Sequence, residues 1–81
     1  MDKTIYNNVY RSHVIQILKD RRKGRGLRQY DVSRQVGMGR TWLGKIERCE
    51  LRLDVLCMVR LCRIYHMSAG RLVRRLEKEL P

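Results

Sequence analysis

The sequence predicts an all-α fold of five short helices, and three observations support this prediction. Apolar residues recur at intervals of three and four, as in Val14, Ile15 and Leu18, and strand-like alternation is absent. Glycines separate the apolar segments, and the single proline is residue 81. A chain of 81 residues has room for one compact domain with a modest core. We expect helices near residues 10–23, 29–36, 40–47, 55–64 and 69–79.

Residues that commonly start or end helices bound these segments. Gly24 and Gly26 follow the first segment, and Gly37 lies between the second and the third, where a glycine is a frequent C-terminal cap. Asp54 and Ser68 stand at N-cap positions for the last two segments. We expect one domain over residues 1–81. Its expected parts are a core at about 14–73, an N-terminal extension at 1–12 and the end of the last helix at 74–81.

The chain is strongly basic, with 19 Lys and Arg residues against 8 Asp and Glu residues and a formal net charge of +11. A folded protein tolerates such self-repulsion most readily when its partner is a polyanion, and nucleic acid is the leading candidate. An acidic lipid surface or an acidic protein remains an alternative. The longest apolar run, residues 55–59, is too short to cross a bilayer, and the first ten residues lack a signal-peptide pattern. We therefore expect a cytoplasmic protein.

The cysteines do not indicate a metal or disulfide site. Cys49, Cys57 and Cys62 form no CxxC pair, and their spacings to His13 and His66 match no usual zinc-ligand pattern. Reduced thiols that fill the core are the expected state. No carboxylate cluster lies at a catalytic spacing from His, Ser or Cys, so we expect no enzyme activity, no metal and no cofactor.

Residues 29–47 have the pattern of two helices that cross at a steep angle. Such a pair needs a small residue where the backbones approach, here Ser33, and a glycine in the turn, here Gly37. It also needs apolar residues that hold both helices to the core. These are Val32, Val36, Met38, Leu43 and Ile46.

With those apolar residues facing inward, Arg40, Thr41, Gly44 and Lys45 are expected to point outward. Arg and Lys can donate to guanine O6 and N7 in the major groove, and Thr41 can contact a thymine methyl or either base edge. Gly44 is unfavourable inside a helix, which suggests that another group, such as a DNA backbone, comes close. Trp42 lies between the outer and inner rows, so scaffold packing and DNA contact both remain open.

These features resemble the Cro and phage-repressor family of regulators, also called the XRE family. The likeness runs from about residue 14 to residue 73. It depends on the segment Gly26-Leu27-x-Gln29, Gly37 in the turn, the run at residues 45–48 and the Leu-rich fourth helix before Ser68. The resemblance implies a compact five-helix, lambda-repressor-like domain with a helix-turn-helix whose third helix reads bases in double-stranded DNA.

The resemblance also implies which residues bind phosphate. Gln29, at the start of the second helix, would anchor to a phosphate, and Arg28 adds a cation where the family usually has Ser or Thr. Tyr30 and Arg34 project from the same helix and could contact phosphate, with ordinary surface exposure as the alternative.

A buried ion pair between Arg22 and Glu47, implied by the same resemblance, would fix the recognition helix to the scaffold. Arg48 and Arg52 would lie in a loop beside the phosphate backbone or the minor groove, with a merely solvated basic loop as the alternative. Cys49 replaces a usual glycine, so the turn after the recognition helix is expected to differ locally.

Leu76 and Leu80 extend the apolar stripe of the last helix beyond the likeness and are candidates for a dimer interface. A dimer would place two recognition helices one turn of DNA apart, so the target is expected to be palindromic. A second candidate interface contains Ile5, Tyr6, Val9 and Tyr10.

The leading hypothesis is a sequence-specific transcriptional regulator, a repressor that binds its operator as a homodimer. The alternative is an antitoxin-type protein-interaction module whose DNA binding is secondary. RNA binding is a third possibility, although the stacking aromatics usual in RNA sites are sparse.

Overall fold

The computed structural model describes residues 2–81, which form an all-α fold. The helices are α1 (Lys3–Tyr10), α2 (Gln16–Gly24), α3 (Gln29–Val36), α4 (Trp42–Glu47), α5 (Val55–Ile64) and α6 (Ala69–Glu79). A π-helical segment, Arg11–Ile15, joins α1 to α2, so residues 3–24 form one continuous helix and the described chain has five helical units. No strand occurs between residues 2 and 81. The predicted all-α, five-helix fold is confirmed.

The first helix begins earlier than predicted. It was expected near residue 10, but α1 begins at Lys3, and Asp2 caps it by accepting a hydrogen bond on Oδ1 from the Ile5 N–H at 3.0 Å. Most of the segment expected as an N-terminal extension, residues 1–12, is therefore helical, while Met1 lies outside the described residues.

The recognition helix begins later than predicted, at Trp42 instead of residue 40. The Trp42 N–H bonds to the Gly39 carbonyl three residues back, at 3.0 Å, and Thr41 has a non-helical backbone with φ −98° and ψ 0°. The first α-type bond joins the Lys45 N–H to the Thr41 carbonyl at 3.2 Å. Arg40 and Thr41 consequently lie in the turn that leads into α4.

The turn after α4 keeps a left-handed residue although no glycine is present. Cys49 has φ +60°, and the N–H groups of Cys49 and Glu50 bond to carbonyls of the last turn at 3.0 and 2.9 Å. This paired bonding is a common helix ending. The expectation that the turn would differ at Cys49 is therefore wrong. The left-handed turn is retained, with the Cys49 side chain at a position where the backbone favours glycine.

The core lies between the π-helical segment and helices α2 to α6, whereas α1 has no buried residue, and it fixes the inner face of α4. Trp42 is buried, so the open question about this residue is resolved in favour of packing. The N-caps predicted for α5 and α6 are confirmed, because Asp54 accepts from the Cys57 N–H and Ser68 from the Arg71 N–H. The buried hydrophobic residues are Val14, Ile15, Leu18, Val32, Val36, Trp42, Leu43, Ile46, Met58, Leu61, Cys62, Tyr65 and Leu72.

Candidate nucleic-acid interface

The two crossing helices, α3 and α4, are joined by one buried side chain. Ser33 is fully buried, and its Oγ accepts a hydrogen bond from the Leu43 N–H at 3.1 Å. Leu43 lies in the first turn of α4, where backbone N–H groups have no partner within the helix. The Thr41 side chain makes no capping bond. Ser33 thus caps α4 from the neighbouring helix. The sequence predicted Ser33 only as a small residue where the two backbones approach, and this capping role was not expected.

An ion pair fixes the end of α4 to α2. The Arg22 Nε donates to Glu47 Oε2 at 2.7 Å and Nη2 donates to Oε1 at 3.0 Å, while Nη1 donates to the Leu27 carbonyl at 2.8 Å. The side chains of Arg22 and Glu47 are only 9% and 5% exposed. The hydrogen bonds that Arg22 donates to Glu47 raise the pKa of Arg22, an effect that burial partly opposes. The structure thus joins the two residues in the two-bond geometry that favours an Arg–carboxylate pair.

Gln29 extends this network to the start of α3. Its Nε2 donates to Glu47 Oε1 at 2.8 Å, so one carboxylate connects α2, α3 and α4. The amide oxygen of Gln29 lies over Gly44, where an added Cβ would be 3.3 Å from this oxygen and 3.2 Å from Arg48 Nη1. Gly44 is buried. The expectation that Gly44 points outward is wrong, because side chains of the same protein close over it.

Several of the predicted DNA-contacting residues are exposed on α3, on α4 and in the turn between them. The guanidinium carbons of Arg34 and Arg40 are 5.8 and 5.2 Å from the ring centroid of Tyr30. The Arg40 contact brings the turn before α4 close to α3. The other exposed residues of this set are Arg28, Thr41 and Lys45.

The basic loop after α4 begins with an exposed ion pair. Arg48 Nε donates to Glu50 Oε2, and this hydrogen bond lowers the pKa of Glu50 and raises that of Arg48. Both side chains are exposed, so solvent screens the pair. Glu50 partly compensates the Arg48 charge.

Helix α1 holds the rest of that loop in place. The Arg52 Nη2 donates to Asn7 Oδ1 at 2.6 Å, and its guanidinium carbon lies 4.4 Å from the Tyr10 ring centroid and 5.1 Å from that of Tyr6. The Leu53 N–H donates to the Tyr10 hydroxyl at 3.0 Å. These contacts were not expected from the sequence. The feature that could have indicated them is the set of polar and aromatic residues at helical spacing within residues 6–10.

The two candidate dimer interfaces lie on the same surface. Leu76 is partly buried against the core and Leu80 is 39% exposed. Both line a groove of about 200 Å³ between α1 and α6. Its other lining residues are Tyr6, Val9, Tyr10 and Val14.

Two packed helices joined by a short turn, with buried inner residues and exposed cations on the outside, are typical of a DNA-binding helix-turn-helix. A family model described as a helix-turn-helix domain matches residues 16–76, and the chain belongs to this family of XRE-like DNA-binding domains. Such domains are typically non-enzymatic. Comparisons with curated proteins and with solved structures returned no significant match.

The remaining features of residues 2–81 concern metals and membranes. No three potential metal ligands come together in this part of the chain. None of its helices has the length and apolar character needed to span a bilayer. Cys49, Cys57 and Cys62 are unpaired thiols.

Proposed function

We propose that the protein is a transcriptional repressor that binds a palindromic operator in double-stranded DNA as a homodimer. One observation carries the proposal: α4 buries Leu43 and Ile46, while the cations Arg40, in the turn before α4, and Lys45, on α4 itself, remain exposed. A helix held by its inner face can enter the major groove with its outer face free.

Base reading is assigned to the beginning and outer side of α4. Arg40 and Lys45 donate to guanine O6 and N7, and Thr41 contacts a thymine methyl or a base edge. Each good contact contributes about 1 to 3 kcal/mol of discrimination. Gly44 contributes indirectly, because its lack of a side chain leaves room for Gln29 and Arg48 to lie across it beside the start of α3.

Phosphate contacts are assigned to both sides of α4. Arg28 and Gln29 lie at the start of α3, where free N–H groups also favour an anion. Arg48 and Arg52 follow α4, and the contacts of Arg52 with α1 support a fixed position for its charge. Tyr30 and Arg34 complete the set on the outer side of α3.

The homodimer is assigned to the groove that contains Leu76 and Leu80. A second copy that inserts its own Leu80 would cover apolar surface on both partners, as a two-fold interface requires. Two recognition helices would then contact half-sites separated by one DNA turn, about 34 Å.

The test is selection of bound sequences from a random duplex pool. The wild-type protein should enrich a palindrome, while Arg40→Ala and Lys45→Ala should relax the preference at particular base pairs. Arg63→Ala, which removes an exposed cation from α5, is the matched control and should enrich the wild-type sequence. Unchanged preference in both the Arg40 and the Lys45 variant would refute the assignment of base reading to α4 and the turn before it.

A second function is favoured by the apolar start of α5. Val55 and Leu56 are 67% and 75% exposed, which is unusual for adjacent large apolar side chains. An antitoxin-type module would cover this surface with a partner protein. Co-purification of an unrelated small protein that is released by Leu56→Glu would support this second function over the first.

A further inference from the structure

Helix α6 carries a cationic face outside the α3–α4 pair. Its cations follow one another at intervals of three, one and three residues, so they share one side of the helix. Leu72, buried in the core, and the half-buried Leu76 lie on the other side. The four exposed cations are Arg71, Arg74, Arg75 and Lys78.

None of these four cations forms a salt bridge among residues 2–81, although Glu77 and Glu79 lie on the same helix and Glu79 borders the groove that the cations line. The ion pairs in this range join His13 to Glu79, Arg22 to Glu47 and Arg48 to Glu50. The four cations of α6 also repel one another, because like charges three and four residues apart destabilise a helix. The first turn of α6 has no acidic residue to interact with the helix dipole. Four exposed cations against these two carboxylates leave α6 with an excess of positive charge that is complementary to a polyanion.

This face points in a different direction from the recognition surface. Helix α4 packs on α3, whereas α6 packs on α5 and on the π-helical segment. Ile46 of α4 and Leu72 of α6 both enter the same core, so each of the two helices has its outer side facing away from that core. Arg71 and Arg75 instead border a groove with Ile17 and His66. One straight duplex held by α4 would leave the α6 cations free.

We propose that the cationic face of α6 binds a second segment of double-stranded DNA while α4 holds the first, so that the protein bridges two duplexes. From residue 71 to residue 78 the helix rises about 10 Å. A duplex carries roughly six phosphate charges over that length, enough to engage all four cations. The inference depends on the proposed function in one respect, since α4 must hold the first duplex. The dimer groove, on the opposite side of α6, stays accessible.

The experiment is a capture assay with two duplexes. A biotinylated duplex of the selected sequence is immobilised with bound protein, and a fluorescent duplex of unrelated sequence is added. Wild-type protein should retain the fluorescent duplex. The variant Arg74→Gln/Arg75→Gln/Lys78→Gln should bind the immobilised duplex normally but retain far less of the fluorescent duplex. When the logarithm of the binding constant for the fluorescent duplex is plotted against log salt, the slope should be less steep than that of the wild type by about 3.

Each other outcome has a defined meaning. Unchanged capture by the triple variant overturns the inference, and so does weaker binding of the triple variant to the selected duplex, since α6 would then contact the first duplex. Capture lost only in the dimer variant Leu80→Glu would mean that two copies of α4 do the bridging. If polyglutamate displaces the fluorescent duplex as effectively as unlabelled duplex does, the cationic face of α6 is assigned to an acidic protein. Failure of wild-type protein to bind the selected duplex refutes the proposed function itself.

Discussion

Removal of the Glu47 carboxylate should destabilise the fold more than the loss of an ordinary surface charge. Its two oxygens accept three hydrogen bonds, two from Arg22 and one from Gln29, at 2.7 to 3.0 Å. In Glu47→Ala the guanidinium of Arg22, only 9% exposed, would keep its charge with the Leu27 carbonyl as its remaining partner. Breaking one member of a buried pair costs about 3 to 5 kcal/mol.

That cost is large for a chain of this size. At about 0.05 to 0.15 kcal/mol per residue, the free energy of unfolding of such a domain is roughly 4 to 12 kcal/mol. Glu47→Ala should therefore lower Tm by at least about 12 °C. Urea unfolding followed by Trp42 fluorescence and by circular dichroism measures the loss, and the coincidence of the two transitions tests two-state behaviour.

Two variants separate burial from charge. The double variant Arg22→Met/Glu47→Leu replaces the pair by apolar side chains and should be about as stable as the wild type. Glu50→Ala breaks the exposed pair with Arg48 and should leave the free energy of unfolding unchanged within error. A loss of less than about 1 kcal/mol in Glu47→Ala would refute the assignment of a structural ion pair.

Three further substitutions test other parts of the fold by urea unfolding. Ser33→Ala should cost about 1 to 3 kcal/mol, because it leaves the buried Leu43 N–H without an acceptor, and a neutral result would show that Ser33 acts only through its size. Cys49→Gly should stabilise the protein by about 1 kcal/mol by relieving the left-handed backbone, and a loss of stability would contradict that strain. Burial raises the pKa of Tyr65, so the unfolded state ionises first and stability should fall as the pH rises above about 10. Tyr65→Phe should remove that part of the alkaline loss, and an unchanged pH dependence would show that Tyr65 is not its source.

The elements that sequence predicted well are those whose signals are local. Helix α5 begins after Asp54 and α6 after Ser68, because each cap bonds to an N–H three residues further along the chain. Helix α3 ends before Gly37, whose φ of +86° needs a residue without a Cβ. In each case the sequence within one turn contains the stop or start signal.

The elements that sequence predicted poorly depend on distant partners. Helix α4 is expected near residue 40 but begins at Trp42, and its capping oxygen comes from Ser33 on another helix. Gly44 appeared open because the positions of Gln29 and Arg48 were unknown. Residues 3–10 were assigned to an extension, since the aromatic contacts of Arg52 that give α1 a packing role require the folded loop.

These distant partners have a functional consequence. Helix α4 has six residues, too few to be stable as an isolated helix, so tertiary contacts must hold its conformation. Ser33 supplies the contact at its beginning and Glu47 the contact at its end. Without either contact, α4 should become fully ordered only when the protein binds DNA. The free-energy cost of this ordering should be the same for every DNA sequence. Substitutions at these two residues should thus weaken binding uniformly, whereas substitution of Arg40 should change which base pairs are preferred.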